Sequence, residues 1–192
     1  DEAIVEAYLD RVVSLAEPAT TAGAHLRVVY TAMHGVGGQL FQTVCERLGF
    51  VDLFSVAEQF EPDPAFPTVA FPNPEEPGAM DLALAAAARE NADVIIANDP
   101  DADPCAVGVP TAEGFRMLRG DEVGVLLGWW TATRGPAQGS LVTTIVSSSM
   151  LGAIAASAGL GFRQTLTGFK WITRPDDIVF GYEEALGYCV DP

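Results

Sequence analysis

Asp99, Asp101 and Asp103 stand at every second position, directly after an apolar run that ends at Ala97. On a helix, positions i, i+2 and i+4 would scatter around the circumference, whereas an extended or tightly curled loop can aim all three at one point. Three carboxylates held together repel one another unless water or a hard cation screens them. The spacing excludes an EF-hand. Counted from Asp99, position six would need glycine and position twelve glutamate, and the sequence has Pro104 and Pro110 there. Oxygen ligands on a short loop suit Mg2+ with a phosphate oxygen completing its shell. The strand pattern in front favours that reading over the alternative, an acidic surface turn.

A second group lies near the C-terminus. Glu183 and Glu184 follow a short strand pattern and precede Gly187. Such carboxylates either accept hydrogen bonds from sugar hydroxyls or are simply solvated, and the pattern by itself leans to the second. Gly168, Phe169, Lys170 and Trp171 put one cation among aromatics. That suits an anion or a sugar ring, or equally a core pair with a lysine reaching for solvent. Residues Thr31 to Gly38 have the glycine content of a phosphate cradle but not G-x-G-x-x-G, because Leu40 occupies the last glycine position. A tight strand-to-helix turn explains them better. Within it, His34 reads as an orienting hydrogen-bonder rather than a base. Ser147 to Ser149 read as a helix cap, with anion binding as the alternative. No nucleophile beside a partnered base is visible.

These residues need elements to position them. Ile4, Val5, Tyr8, Leu9, Val12, Val13 and Leu15 recur near helical spacing and predict an amphipathic helix over 2–16, ended by Pro18 and Gly23. Strands are expected at 26–30, 51–56 and 92–97, helices at 38–48 and 80–90, and a hairpin pairs 106–109 with 115–118. Six prolines between Glu58 and Pro77 forbid helix and predict an extended, tightly placed loop, either a linker or a functional segment. A second unit starts near Arg119, with helices at 121–133 and 148–158 and strands at 141–146 and 162–166. A loop at 167–172 enters a helix-like segment, and a strand at 178–180 follows, without an obvious closing element. The alternation predicts two α/β units in series. No motif recurs firmly enough to mark an internal repeat.

The chain of 192 residues carries 26 acidic against 10 basic side chains, a formal charge of −16. That field repels phosphate backbones and anionic lipid, so nucleic acid and membranes are excluded as expected partners. An apolar fraction of 49% excludes general disorder. Cys45, Cys105 and Cys189 are dispersed, which argues against a disulfide framework or zinc ribbon and fits a reducing, cytoplasmic setting. No apolar run approaches the ~18 residues of a membrane span. The chain lacks a signal core and begins within a helical pattern without Met, so a piece of a longer protein is expected.

Taken in order, residues 31–38, Pro72 to Glu76, Asp99 to Asp103, Thr167 to Trp171 and Glu183 to Tyr188 resemble the α-D-phosphohexomutase superfamily, most nearly its phosphopentomutase-like branch. The resemblance implies two tandem three-layer α-β-α domains with mixed sheets, out of four around a central cleft. Residues 1–118 would be the second domain and 119–192 most of the third. It implies a phosphosugar mutase (phosphomannomutase or phosphoglucomutase) that moves a phosphoryl group between the 1 and 6 (or 5) positions through a phosphoserine and a bisphosphate. The serine would lie in the missing first domain and the phosphate-binding site in the missing fourth. No catalytic residue is therefore expected in this chain, and the chain alone is expected to be inactive. Asp99, Asp101 and Asp103 would hold Mg2+, while Glu183, Gly168, Phe169 and Lys170 would meet a hexose or pentose phosphate.

Two departures stand out against that family. Pro104 replaces an arginine that would lie beside the phosphoserine, and Ala185 replaces a serine usual in hexose-specific branches. Pro104 motivates the runner-up, a non-catalytic sugar-phosphate-binding protein on the same fold. A Mg2+-dependent phosphatase using Asp99 and Asp101 is a third, weaker reading.

Overall fold

The computed structural model describes residues 2–16, 25–50 and 52–192. Pro18, Gly23 and Val51, which bear on the expected ends of two elements, lie outside the described residues. The chain divides into two compact units, Asp1–Met117 and Leu118–Pro192.

In the first unit, Val28–Thr31 is buried at four successive positions, as a strand covered on both faces requires. This is β1. It pairs in parallel with β2 (Leu53–Ser55) on one side and β3 (Val94–Asn98) on the other. Two antiparallel strands, β4 (Cys105–Thr111) and β5 (Gly114–Met117), complete a mixed sheet of order β2-β1-β3-β4-β5. Helix α1 (Glu2–Leu15) lies on α2 (Gly38–Arg47), burying Leu9, and Arg47 reaches Glu6 at 2.7 Å and Asp10 at 3.0 Å. Phe41 of α2 stacks on Tyr30 of β1 with ring centroids 4.0 Å apart. Helix α3 (Asp81–Glu90) packs on β1 and β3 and buries Ala83, Ala86 and Ala87, one stripe at i, i+3 and i+4 whose small side chains allow close approach.

The second unit holds α4 (Gly120–Arg134), β6 (Ser140–Thr144), α5 (Met150–Ala158), β7 (Gly161–Thr165), α6 (Phe169–Ile172), β8 (Ile178–Glu183) and β9 (Gly187–Cys189). Its sheet has the order β7-β6-β8-β9, with three parallel strands and an antiparallel edge. Leu141, Leu151, Ala155, Leu160, Phe180 and Tyr182 form its core. Gly124 and Gly128 let α4 lie directly on Tyr182, Leu151 and Phe180, where a Cβ would collide. The strand pattern β7-β6-β8-β9 repeats that of β2-β1-β3-β4, a likeness of topology that no shared sequence motif announces.

Two expectations are corrected here. The last parallel strand runs on to Glu183 rather than stopping at Phe180, with Gly181 leaving room for the Ile172 side chain. A closing element does exist: β9 pairs back on β8 across a turn at 184–186. That turn uses Leu186 at φ 67°, a left-handed position without the usual Gly or Asn signal. Among the described residues, no helix is long and apolar enough to cross a membrane.

Candidate functional site

In each sheet, chain order reverses between two neighbouring parallel strands, β1 and β3 in one unit and β6 and β8 in the other. Loops leaving the carboxyl ends of such strands diverge and open a crevice, the preferred ligand position in open α/β sheets. Asp99 follows the last residue of β3, and Glu183 is the last residue of β8. Both candidate groups therefore occupy the same topological position.

The aspartate loop spans 99–104 between the paired residues Asn98 and Cys105. Asn98 braces its two ends: its Oδ1 accepts from the Tyr30 hydroxyl (3.1 Å) and its Nδ2 donates to the Pro104 carbonyl (2.9 Å). Inside the loop the Ala102 N–H donates to the Asp99 carbonyl (3.0 Å), and Ala102 takes a left-handed φ of 63°, which a non-glycine residue adopts only under constraint. The glycine turn lies underneath. Val36 N–H donates to the Pro100 carbonyl (2.9 Å), a Cβ on Gly35 would enter the Pro100 backbone, and one on Gly37 would stand 2.9 Å from the Ala102 methyl. Gly35 and Gly37 thus make room for the aspartate loop, while Gly38 makes room for Phe60.

Asp101 and Asp103 are exposed and Asp99 is half-buried. Among the described residues, no three His, Cys, Asp or Glu side chains stand together as a ready metal cage. Asp99 Oδ1, however, is buried without a hydrogen-bond partner, which among the described residues is true of no other side-chain nitrogen or oxygen. Burial, followed by the neighbouring Asp101 and Asp103 carboxylates, pushes the Asp99 carboxyl up to about 6. An orphaned buried carboxylate oxygen beside two further carboxylates is a set of oxygen donors that fits a hard divalent cation.

The proline-rich segment is a wall of this region, not a linker. Gln59 is fully buried and accepts from the Thr31 hydroxyl (2.7 Å) while its amide donates to Thr68 (2.9 Å). His34, also buried, meets Thr68 through Nε2 at 2.8 Å and, with Met33, takes a positive φ. His34 thereby orients the segment against the glycine turn.

In the second unit, Glu183 accepts from the Gly168 N–H at 3.1 Å, so two of the residues singled out by sequence are joined. The Phe169 ring lies over Gly187, where a Cβ would approach it to 2.6 Å. Lys170 is exposed, and the Arg174 guanidinium covers Trp171 at 4.5 Å from the ring centroid. Glu184 turns elsewhere: its Oε2 meets the hydroxyls of Thr144 (3.0 Å) and Ser147 (2.8 Å). Asp121 accepts from Ser148 N–H (2.6 Å) and the Tyr182 hydroxyl (2.8 Å). Burial, then Asp121, holds the Tyr182 phenol well above its ordinary range. At the start of α5 the cap residue Ser149 makes no capping bond through its side chain, and it is the Ser148 hydroxyl, one residue earlier, that accepts from Met150 N–H at 3.2 Å.

Two family models cover nearly the whole chain: phosphoglucomutase/phosphomannomutase alpha/beta/alpha domain II over residues 6–113 and domain III over 119–191. The chain belongs to the phosphoglucomutase/phosphomannomutase family. It is 47% identical over its whole length to a protein of Haemophilus influenzae named probable phosphomannomutase, and 39% identical over 87% of its length to human phosphopentomutase. It spans 39% and 30% of those two proteins, respectively. Among solved structures it superposes with a TM-score of 0.80 on a phosphoglucomutase/phosphomannomutase family protein of Burkholderia thailandensis, at 20% identity, covering 98% of this chain and 39% of the other. An Aspergillus fumigatus N-acetylphosphoglucosamine mutase, in complex with GlcNAc-6P and magnesium, matches at TM-score 0.63 and 15% identity, over 94% of this chain and 39% of that one. At such identities the superpositions establish the fold alone.

Several residues that shape these sites in this member of the phosphoglucomutase/phosphomannomutase family carry no local signature. Asn98 and Tyr30 are 68 positions apart, and Thr144 and Glu184 are 40 apart. The hint available in the sequence was polar residues placed at the ends of otherwise apolar strands.

Proposed function

We propose that this chain is the metal- and sugar-binding middle part of a phosphosugar mutase, with 1–118 as its second domain and 119–192 as its third. The activity is transfer of a phosphoryl group between the 1 and 6 (or 5) positions of a hexose or pentose phosphate, carried by a serine outside these residues. The observation that carries the reading is the orphaned, buried Asp99 Oδ1 beside two carboxylates, at the switch point of a family domain. Asp99, Asp101 and Asp103 would hold Mg2+. The chemistry that Mg2+ supplies when bound is positive charge near phosphoryl oxygens, the electrostatic stabilisation that such transfer needs. The chain's own residues do the positioning: Asn98, Tyr30 and the glycine turn hold the aspartate loop. Glu183, aligned by Gly168 N–H, meets sugar hydroxyls, with Phe169 and Lys170 beside it. The magnesium and GlcNAc-6P of the Aspergillus fumigatus mutase support both ligand classes.

A second reading, binding of sugar phosphate without turnover, is favoured by Pro104. Its ring leaves no side-chain donor where the resembled family has a guanidinium, and its carbonyl is engaged by Asn98. The test is calorimetric titration of Mg2+ into the chain and its Asp101→Asn variant, with inorganic phosphate present, together with a mutase assay of the longer protein. Metal binding lost in the variant supports the aspartate site. Turnover of a sugar 1-phosphate by residues 1–192 alone would refute the division of labour.

A further inference from the structure

Glu183 is the last residue of β8 and Glu184 the first of the turn that follows, and their side chains take different partners. One carboxylate reaches the Gly168 N–H; the other is gripped by Thr144 and Ser147, whose hydroxyls are themselves 2.7 Å apart. Thr144 is fully buried at the end of β6. The backbone on the same segment is equally constrained. The Glu184 carbonyl passes where a Cβ of Gly120 would be, and the preceding Tyr182 carbonyl accepts from the Thr143 hydroxyl at 3.0 Å. A partly buried carboxylate behind two hydroxyls carries a desolvation cost that an apolar contact would avoid, so what the arrangement adds is direction.

We propose that Glu184 is a positioning residue: clamped by Thr144 and Ser147, it holds the end of β8 so that Glu183 faces the sugar with its carboxylate aligned on Gly168. This rests on the reading of Glu183 as the sugar ligand. Glu184 itself touches no substrate.

The test uses the 192-residue chain followed by NMR. Amide hydrogen exchange at Gly168 reports the alignment of Glu183, and titration with glucose 1-phosphate and with ribose 5-phosphate reports binding. Loss of a charge-assisted clamp predicts roughly tenfold faster exchange at Gly168 in Glu184→Ala and in the Thr144→Val, Ser147→Ala double variant, with a similar fold loss of sugar-phosphate affinity. Glu184→Gln keeps an acceptor oxygen in place and should restore both. Ser140→Ala breaks the Ser140–Asp177 bond (2.7 Å) at the opposite end of β6 and controls for general destabilisation. Gly168 exchange unchanged in Glu184→Ala, or quickened as much by Ser140→Ala, would overturn the clamp. Absence of shifts around Glu183 with either sugar phosphate in the unmodified chain would overturn the sugar reading instead, while the exchange comparison still decides the clamp.

Discussion

Asp99→Asn should make the metal-free chain more stable at neutral pH while weakening its response to Mg2+. The structure raises the Asp99 carboxyl from 3.8 to about 6, through burial first and the Asp101 and Asp103 charges next. A shift of roughly 2 units corresponds to at most ~3 kcal/mol. The carboxyl is only half-buried and solvent screens it, so about 1 kcal/mol is expected. An acid whose folded value lies above its unfolded one stabilises the fold at low pH and loses that contribution as pH rises through the folded value. In urea unfolding with EDTA, the two proteins should therefore coincide near pH 4 and separate by about 1 kcal/mol by pH 7, the asparagine form being the more stable. Its amide can also donate to Asp101, which the carboxylate cannot. With Mg2+ at ~100 times its dissociation constant, the unmodified chain should gain about 2.7 kcal/mol and the variant much less. A variant no more stable than the parent in EDTA at pH 7 would refute the claim that Asp99 is held at a cost that a cation relieves.

Gly35→Ala should destabilise the first unit by about 2–3 kcal/mol, since its Cβ would meet the Pro100 backbone, and should weaken Mg2+ binding in calorimetry. Thr31→Val leaves the fully buried Gln59 carbonyl oxygen without its 2.7 Å donor and should cost about 1–3 kcal/mol in urea unfolding. Ser140, then Arg163, holds the Asp177 carboxyl below its usual range, so its contribution is present above the ordinary carboxylate value and fades as pH falls through the lowered one. Acid unfolding of Asp177→Asn should show a correspondingly shallower loss over that window.

The units were legible because they rest on local signals. Apolar runs at Val28 to Tyr30, Val94 to Ala97 and Leu141 to Val142, separated by helical periodicities, announce alternating strands and helices. The aspartate triplet was visible for the same reason, since its spacing and its strand lie within a dozen residues. The edges were not. β9 escaped notice because its turn runs through Leu186 in a left-handed conformation, and a leucine there gives no turn signal. The likeness between the two sheets was also hidden, since topology is a matter of which strands pair, and many sequences satisfy the same pairing.

The sequence by itself determined the classes of chemistry: acidic oxygens after a buried strand, a glutamate pair before a glycine, and a charge hostile to polyanions. Tertiary structure decided which of those residues do what. Glu183 and Glu184 are chemically identical neighbours, yet one ends β8 facing Gly168 and the other opens the turn facing Thr144 and Ser147, because those partners come from other elements that only folding brings up. Asp99, Asp101 and Asp103 are likewise equivalent on paper. Only the packing of Gly35 and Gly37 beneath the loop, and the Tyr30–Asn98–Pro104 brace across it, bury one carboxylate oxygen and leave the other two aspartates to solvent. Burial and orientation arise from contacts such as Tyr30–Asn98, 68 positions apart, and Thr144–Glu184, 40 apart, which exist only once the chain has folded.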